Sequence, residues 1–212
     1  MPDHPISPLS PHPVALAPLA LIVVIACGAI GGASFAPDIA ILRHFVDWRA
    51  AHPGGTQVLV ALTQLGNAAV LLPVTLLGIA WAAWRQRALA LPMALTVIGG
   101  RLTVELIKTI VARPRPSLDA HPVEVHTLSF PSGHAANSMI ILLSLALWLT
   151  PARWRPATVA AAIATSLIIG ATRPMLGVHY PSDVVAGWSF GLGWVLIFWT
   201  LSRRHGRGES AG

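Results

Sequence analysis

Charged residues in this chain are confined to the ends of long apolar runs. Stretches free of Asp, Glu, Lys and Arg cover 13–37, 50–84, 88–100, 135–152, 156–172 and 184–202 of the 212 residues. A helix needs about 20 mainly apolar residues to cross the hydrocarbon core of a bilayer. The pattern therefore predicts an all-α polytopic membrane bundle of six transmembrane helices, near 14–33, 57–84, 88–112, 133–150, 156–176 and 183–201. Composition agrees, with 54% of residues apolar and 10% charged, where soluble domains carry about 25% charged residues. The lone cysteine, Cys27, excludes an intramolecular disulfide and a cysteine-built zinc cluster.

The chain reads as a single membrane domain, 1–212, with a flexible N-terminus at 1–13 and a cytoplasmic tail at 203–212. No Lys or Arg precedes Arg43, so the first span is expected to be a retained helix rather than a cleaved leader. The net charge of +6 does not point to nucleic acid, because no basic run exceeds Arg203-Arg204 and no aromatics interleave a basic face. Leu42, Phe45, Val46 and Arg49 predict a short amphipathic helix at the interface, ended by Pro53-Gly54-Gly55. Gly28 with Gly32, and Gly187 with Gly191, have the spacing that lets helices approach closely, within one bundle or between two.

Six spans place both termini on one side. Arg85, Arg87, Arg153, Arg155, Arg203, Arg204 and Arg207 lie on that side; Arg43, Arg49, Arg101, Lys108, Arg113, Arg115 and Arg173 lie on the other. The count ties at seven each. If the cations in or beside the motifs below are held there for chemistry, only Arg43 and Arg49 remain against seven. The positive-inside rule then puts both termini in the cytoplasm and the 113–132 connection outside. Trp84 and Trp154, with Trp81, Trp148 and Trp199 nearby, fit an interfacial aromatic belt.

Two outer connections collect the polar residues that composition does not explain. One runs from Lys108 through Arg113-Pro114-Arg115-Pro116 to Pro131-Ser132-Gly133-His134; the other runs from Thr172-Arg173 to His179-Tyr180-Pro181-Ser182-Asp183. Phosphoryl transfer is catalysed mainly by positioned cations and N–H donors around the equatorial oxygens. Lys108, Arg115 and Arg173 supply cations, and Ser132-Gly133 at a helix start aims free N–H groups at an anion. His179 and Asp183, four apart, have the spacing for a nucleophilic imidazole oriented by a carboxylate, leaving His134 as general acid and base. Each alone has a plainer reading: a hydrogen-bonded structural histidine, a helix stop with solvated arginines, an N-terminal helix carboxylate. Arg101, Glu105 and Lys108 share a helix face, which allows a structural Arg101–Glu105 pair. A metal site from His134, His179, Asp183 and Glu124 is disfavoured by the three neighbouring cations.

Together the motifs resemble those of the type 2 phosphatidic acid phosphatases, whose catalytic core is shared with vanadium haloperoxidases and glucose-6-phosphatase. The resemblance rests on Lys108 with six residues before Arg115-Pro116, on Pro131-Ser132-Gly133-His134, and on Arg173 with five residues before His179 and three more before Asp183. It implies that His179 is the nucleophile, forming a phosphohistidine, that Asp183 orients it, and that His134 is general acid and then base. It also implies that Lys108, Arg115, Ser132, Gly133 and Arg173 hold the phosphate, with no metal and no cofactor. Thr172 departs from the family's usual serine. Arg113, His121, Glu124 and His126 fall in the variable part of the loop, where they either contact a headgroup or are solvated, the latter being the expectation.

The expected function is an integral membrane phosphatase, in a bacterial inner membrane, that removes the terminal phosphate of a lipid phosphate or polyprenyl pyrophosphate at the non-cytoplasmic helix ends. The alternatives are a phosphoryl or headgroup transferase of the same superfamily and, from another class, a six-helix transporter. The particular lipid, the oligomeric state and the roles of Thr172, Arg101, Glu105 and the 117–128 loop stay open.

Overall fold

A computed structural model describes residues 15–208, with side chains to Arg203. The expected flexible segment 1–13 and the end of the tail lie outside the described residues. Within them the chain is helical, without strands: α1 Leu16–Ile30, α2 Ala36–Ala51, α3 Pro53–Gln64, α4 Ala68–Arg85, α5 Arg87–Val111, α6 Gly133–Leu149, α7 Arg155–Met175 and α8 Pro181–Gly208.

The window expected to be one helix over 57–84 is two. After Gln64 the chain turns, with the N–H groups of Gly66 and Asn67 bonded to Thr63 and Gln64 carbonyls. The Asn67 side chain then accepts from Ala69 N–H at 3.2 Å and opens α4. Gly-Asn is a strong stop-and-restart signal, and hydropathy averaged across the window conceals it. Among the described residues four segments are long and apolar enough to cross a membrane: Pro53–Arg85, taken across that turn, Arg87–Val111, Arg155–Met175 and Pro181–Arg203. The apolar helices α1 and α6 have 15 and 17 residues, or roughly 22 and 26 Å at 1.5 Å per residue, against about 30 Å of hydrocarbon.

α6 is the centre of the bundle. It is apolar on nearly all sides, as a helix surrounded by others must be, and Ala136, Met139, Ile140, Leu143 and Leu147 are buried against α5, α8 and their neighbours. The outer faces of α1, α4 and α5 expose Ile22, Leu76, Leu77, Leu102 and Ile110, the surface a bilayer rather than water would cover. Gly187 and Gly191 of α8 work inside the bundle: a Cβ would lie 2.7 Å from Ser132 O and 2.8 Å from Met139 Cβ, respectively. α8 thus presses directly on the first turns of α6.

Several expectations need correction. α2 turns Leu42 and Arg49 inward as its spacing predicts, but Arg49 is not a free topological charge. It donates to Met175 O at 2.9 Å and pairs with Asp119 at 3.0 Å. Pro53 opens α3 one residue after α2's cap, because its missing N–H costs nothing at a helix start. Trp148 is buried edge-on against Trp199 rather than belonging to a belt, whereas Trp81, Trp84 and Trp154 are exposed. Arg101 and Glu105 form no ion pair among the described residues; α5 buries Val97, Gly100, Val104 and Lys108 on one face and leaves Glu105 outside it.

Candidate active site

The ends of α5 and α7 and the beginnings of α6 and α8 converge. Pro181 at N1 fixes the first turn of α8, and Asp183 at N3 reaches back to Tyr180 N–H at 2.9 Å, half of a capping box. The expected plain reading of Asp183 as a helix-start carboxylate therefore holds, and the same group also meets the histidine. Ser132 N–H donates to Asp183 O at 3.0 Å. That single bond ties the start of α6 to the start of α8.

His179 lies in the turn before α8 and is 2% exposed. Its Nδ1 is 3.4 Å from Asp183 Oδ2, and its Nε2 is 3.0 Å from Arg115 Nη1. A guanidinium can only donate, so Nε2 accepts and the ring proton sits on Nδ1, facing Asp183. Burial, then the charges of Arg115, Arg173 and Lys108, pull the His179 pKa well below its ordinary value. The ring is thus held neutral with its lone pair on Nε2, the form a nucleophile requires.

The expected cations gather around it. Lys108, on the buried face of α5, donates to Leu128 O at 3.0 Å and Pro131 O at 2.9 Å. Arg115 donates through Nε to Thr127 O and through Nη1 to Val178 O, both at 2.6 Å, which fixes the guanidinium between two loops. Arg173 donates to Thr63 Oγ1 at 2.7 Å, while its Nε is buried without a partner. Ser132 Oγ, also buried, has none either. Buried unpaired polar atoms are costly; among the described residues two of the six belong to residues expected to grip phosphate, the others to Asn137, Ser144, Trp148 and Arg155. Gly133 opens α6 beside the Lys108 ammonium; a Cβ would come 3.7 Å from Lys108 Cε.

His134 is within electrostatic range of Lys108, Arg115 and Arg173, as His179 is. It lines a cleft of about 380 Å³ with Arg173, Thr63, Gln64, Asn67 and Glu124. The turn between α3 and α4 forms one wall of that cleft, which an unbroken 57–84 helix would not supply.

Sequence reasoning missed four residues. Arg113, expected to be solvated, is buried with Nη1 2.6 Å from Asp183 Oδ1. Ser129 Oγ donates to Asp183 Oδ2 at 2.5 Å. Asp38 holds Ser182, and Gly66 packs on His134. Arg113 carried no sequence signal: Ala112 before it takes a left-handed conformation, φ 49°, ending α5 and turning the next side chain inward. The other loop expectations divide. Glu124 and His126 are exposed and face each other at 3.6 Å, whereas His121 bonds Pro116 O at 2.8 Å. Thr172 spends its hydroxyl on Ile169 O at 2.6 Å, within its own helix.

The fold and this site define a helical integral membrane protein with a neutral imidazole set among buried cations. Residues 89–207 match the model of the PAP2 superfamily, and the chain belongs to that family. It is 30% identical over 146 residues to phosphatidylglycerophosphatase B of Bacillus subtilis, covering 66% of this chain and 71% of that one. It is 40% identical over 108 residues to the lipid A 1-phosphatase of Rhizobium etli, 47% of this chain and 44% of that one. The crystal structure of a transmembrane PAP2-type phosphatidylglycerolphosphate phosphatase from Bacillus subtilis superposes with a TM-score of 0.78 at 27% identity, over 91% of this chain and 96% of the other.

Proposed function

We propose that this protein is a membrane phosphatase that releases the terminal phosphate of a lipid phosphate or polyprenyl pyrophosphate, with His179, Asp183 and His134 as its catalytic residues. The observation that carries the reading is the hydrogen bond from Arg115 to Nε2 of His179, which leaves the nucleophilic lone pair beside a cation suited to an equatorial phosphate oxygen.

In the proposed reaction, phosphate displaces the Arg115–His179 contact and is held by Lys108, Arg115, Arg173, Ser132 and the Gly133 N–H. Nε2 forms a bond to phosphorus as the bond to the leaving oxygen breaks, and His134 gives that oxygen its proton. Asp183 stabilises the imidazole N–H as positive charge develops on the ring. Water then attacks the phosphohistidine, His134 takes its proton, and inorganic phosphate departs with Nε2 regenerated. No metal or cofactor enters this scheme. Product analysis separates hydrolysis from transfer to an acceptor other than water.

The site lies at the helix ends that the charge count assigns to the non-cytoplasmic side. Removing Arg49 from the outer tally leaves Arg43 alone against seven, which strengthens that orientation. We place the protein in a bacterial inner membrane with its termini inside, α1, α3 with α4, α5, α6, α7 and α8 forming the six spans. A panel of phosphatidic acid, phosphatidylglycerol phosphate and polyprenyl diphosphate, assayed for phosphate release by wild type and His179→Ala, tests the function. Release by wild type and loss of at least about 10³-fold in the variant is expected; equal release by both rejects the mechanism.

A further inference from the structure

Asp183 has two oxygens and two duties. Oδ2 meets His179, Ser129 and Tyr180 N–H, whereas Oδ1 is taken by Arg113. Both terminal nitrogens of Arg113 are spent on protein groups. Its Nη1 also reaches Ser182 Oγ at 3.3 Å, its Nη2 donates to Cys27 O and Gly28 O at 2.8 and 2.9 Å, and its guanidinium covers the Phe130 ring at 4.5 Å. Neither terminal nitrogen is left for substrate, which separates it from Arg115, whose Nη1 faces His179 Nε2.

Behind Arg113 stands a second buried carboxylate. Asp38 of α2 accepts from Ser182 N–H at 2.9 Å, from Ser182 Oγ at 2.5 Å and from Gly32 N–H at 2.7 Å. The Ser182 hydroxyl gives its proton to Asp38, so its lone pairs face Arg113. The corner between α1 and α2 lies directly on this serine: a Cβ on Gly31 would come 2.1 Å from Ser182 Oγ. Asp38 precedes the residues that match the family model.

We propose that Arg113, braced by Asp38 through Ser182, is a positioning residue that acts on His179 solely through Asp183, fixing the carboxylate so that Oδ2 meets the ring N–H. Arg113 is anchored to Ser182 and the last carbonyls of α1, so rotation of the carboxylate would break its bond to a fixed guanidinium as well as those to Ser129 and Tyr180 N–H. Without Arg113, Ser129 and Tyr180 still hold Oδ2, but Oδ1 loses its only hydrogen-bond partner among the described residues. The inference rests on His179 being the nucleophile.

The test is a double-mutant cycle on the full chain, purified in detergent and assayed with dioctanoyl phosphatidic acid in mixed micelles. Arg113→Gln should lower kcat about 10–100-fold with KM changed less than about threefold. Added to Asp183→Asn it should cost less than about threefold more, since residues acting as one unit are not additive. A second readout needs no turnover: in ¹⁵N-histidine-labelled protein, His179 should show the Nδ1–H tautomer in wild type and a mixture in Arg113→Gln. If Arg113→Gln is not recovered folded, Asp38→Asn takes its place in both measurements, with a smaller loss and the same lack of additivity. Multiplying losses, a kcat within about threefold of wild type, or an unchanged tautomer overturns the proposal. Absence of phosphate release by wild type would instead reject the phosphatase reading, with the tautomer readout still deciding this one.

Discussion

Gly66 lies against the imidazole of His134: a Cβ there would come 2.7 Å from His134 Cδ2 and 2.5 Å from an Ile169 methyl. No side chain fits without moving the ring or α7. Gly66→Ala should therefore disturb proton transfer to the leaving oxygen, a contribution worth about 10²–10⁴ in rate when lost completely. We expect about a 10²-fold loss with a lipid phosphate. With a nitrophenyl phosphate, whose leaving group needs no proton, the first step is spared and a burst of nitrophenolate should precede slow turnover. Stopped-flow absorbance reads both, and equal losses without a burst would remove His134 from the acid role.

Arg115 spreads Nε, Nη1 and Nη2 over Thr127 and Val178 while its Nη1 faces His179. A lysine keeps the charge and loses that fork. Arg115→Lys should cost about 10²–10³-fold in kcat, the scale of losing one aimed transition-state donor. Steady-state kinetics on vesicle-borne substrate measure it; a change confined to KM would make Arg115 a ground-state binder only.

If cations and helix N–H groups alone grip the phosphate as proposed, prolonged treatment with a chelator should leave phosphate release unchanged. Vanadate, which can adopt the five-coordinate geometry of the transferring phosphorus, should inhibit competitively. Reactivation by an added divalent ion after chelation would contradict the scheme.

Burial and the surrounding cations lower the His179 pKa from its ordinary 6.5. The unfolded chain then binds more protons than the folded one once pH falls through 6.5, so stability rises with pH across that window and is lost below it. Wild type should lose melting temperature between pH 7.5 and pH 5 more steeply than His179→Gln, the difference being on the order of a few degrees. Parallel melting curves for the two proteins would show that the ring is not held neutral.

Much of the site was legible because its chemistry repeats a spacing. Lys108 to Arg115, Ser132 to His134 and Arg173 to Asp183 lie at short intervals on helix ends, and the apolar windows between them bring those ends to one face of a bundle. Asp38 and Ser182 are separated by 144 residues, and no local pattern announces such a pair. Arg113 read as solvated because Arg-Pro-Arg-Pro beside a variable loop looks like a helix stop; only the left-handed turn at Ala112 and the waiting carbonyls of α1 bury it. The break inside the second span was missed for the opposite reason. Its Gly66-Asn67 signal was present, but averaged hydropathy outweighed a two-residue break.

By itself, then, the order of apolar and charged residues determined an all-helical membrane chain and the set of groups proposed to grip and attack a phosphate. That follows because the bilayer penalises unpaired backbone and stray charge residue by residue, so the penalty is written along the chain. Which groups support that set was decided only when distant helix ends met. A buried carboxylate or guanidinium is tolerated wherever a partner arrives, and whether Asp183 finds Arg113, or His134 finds Gly66, depends on the packing of four helices rather than on any stretch of sequence.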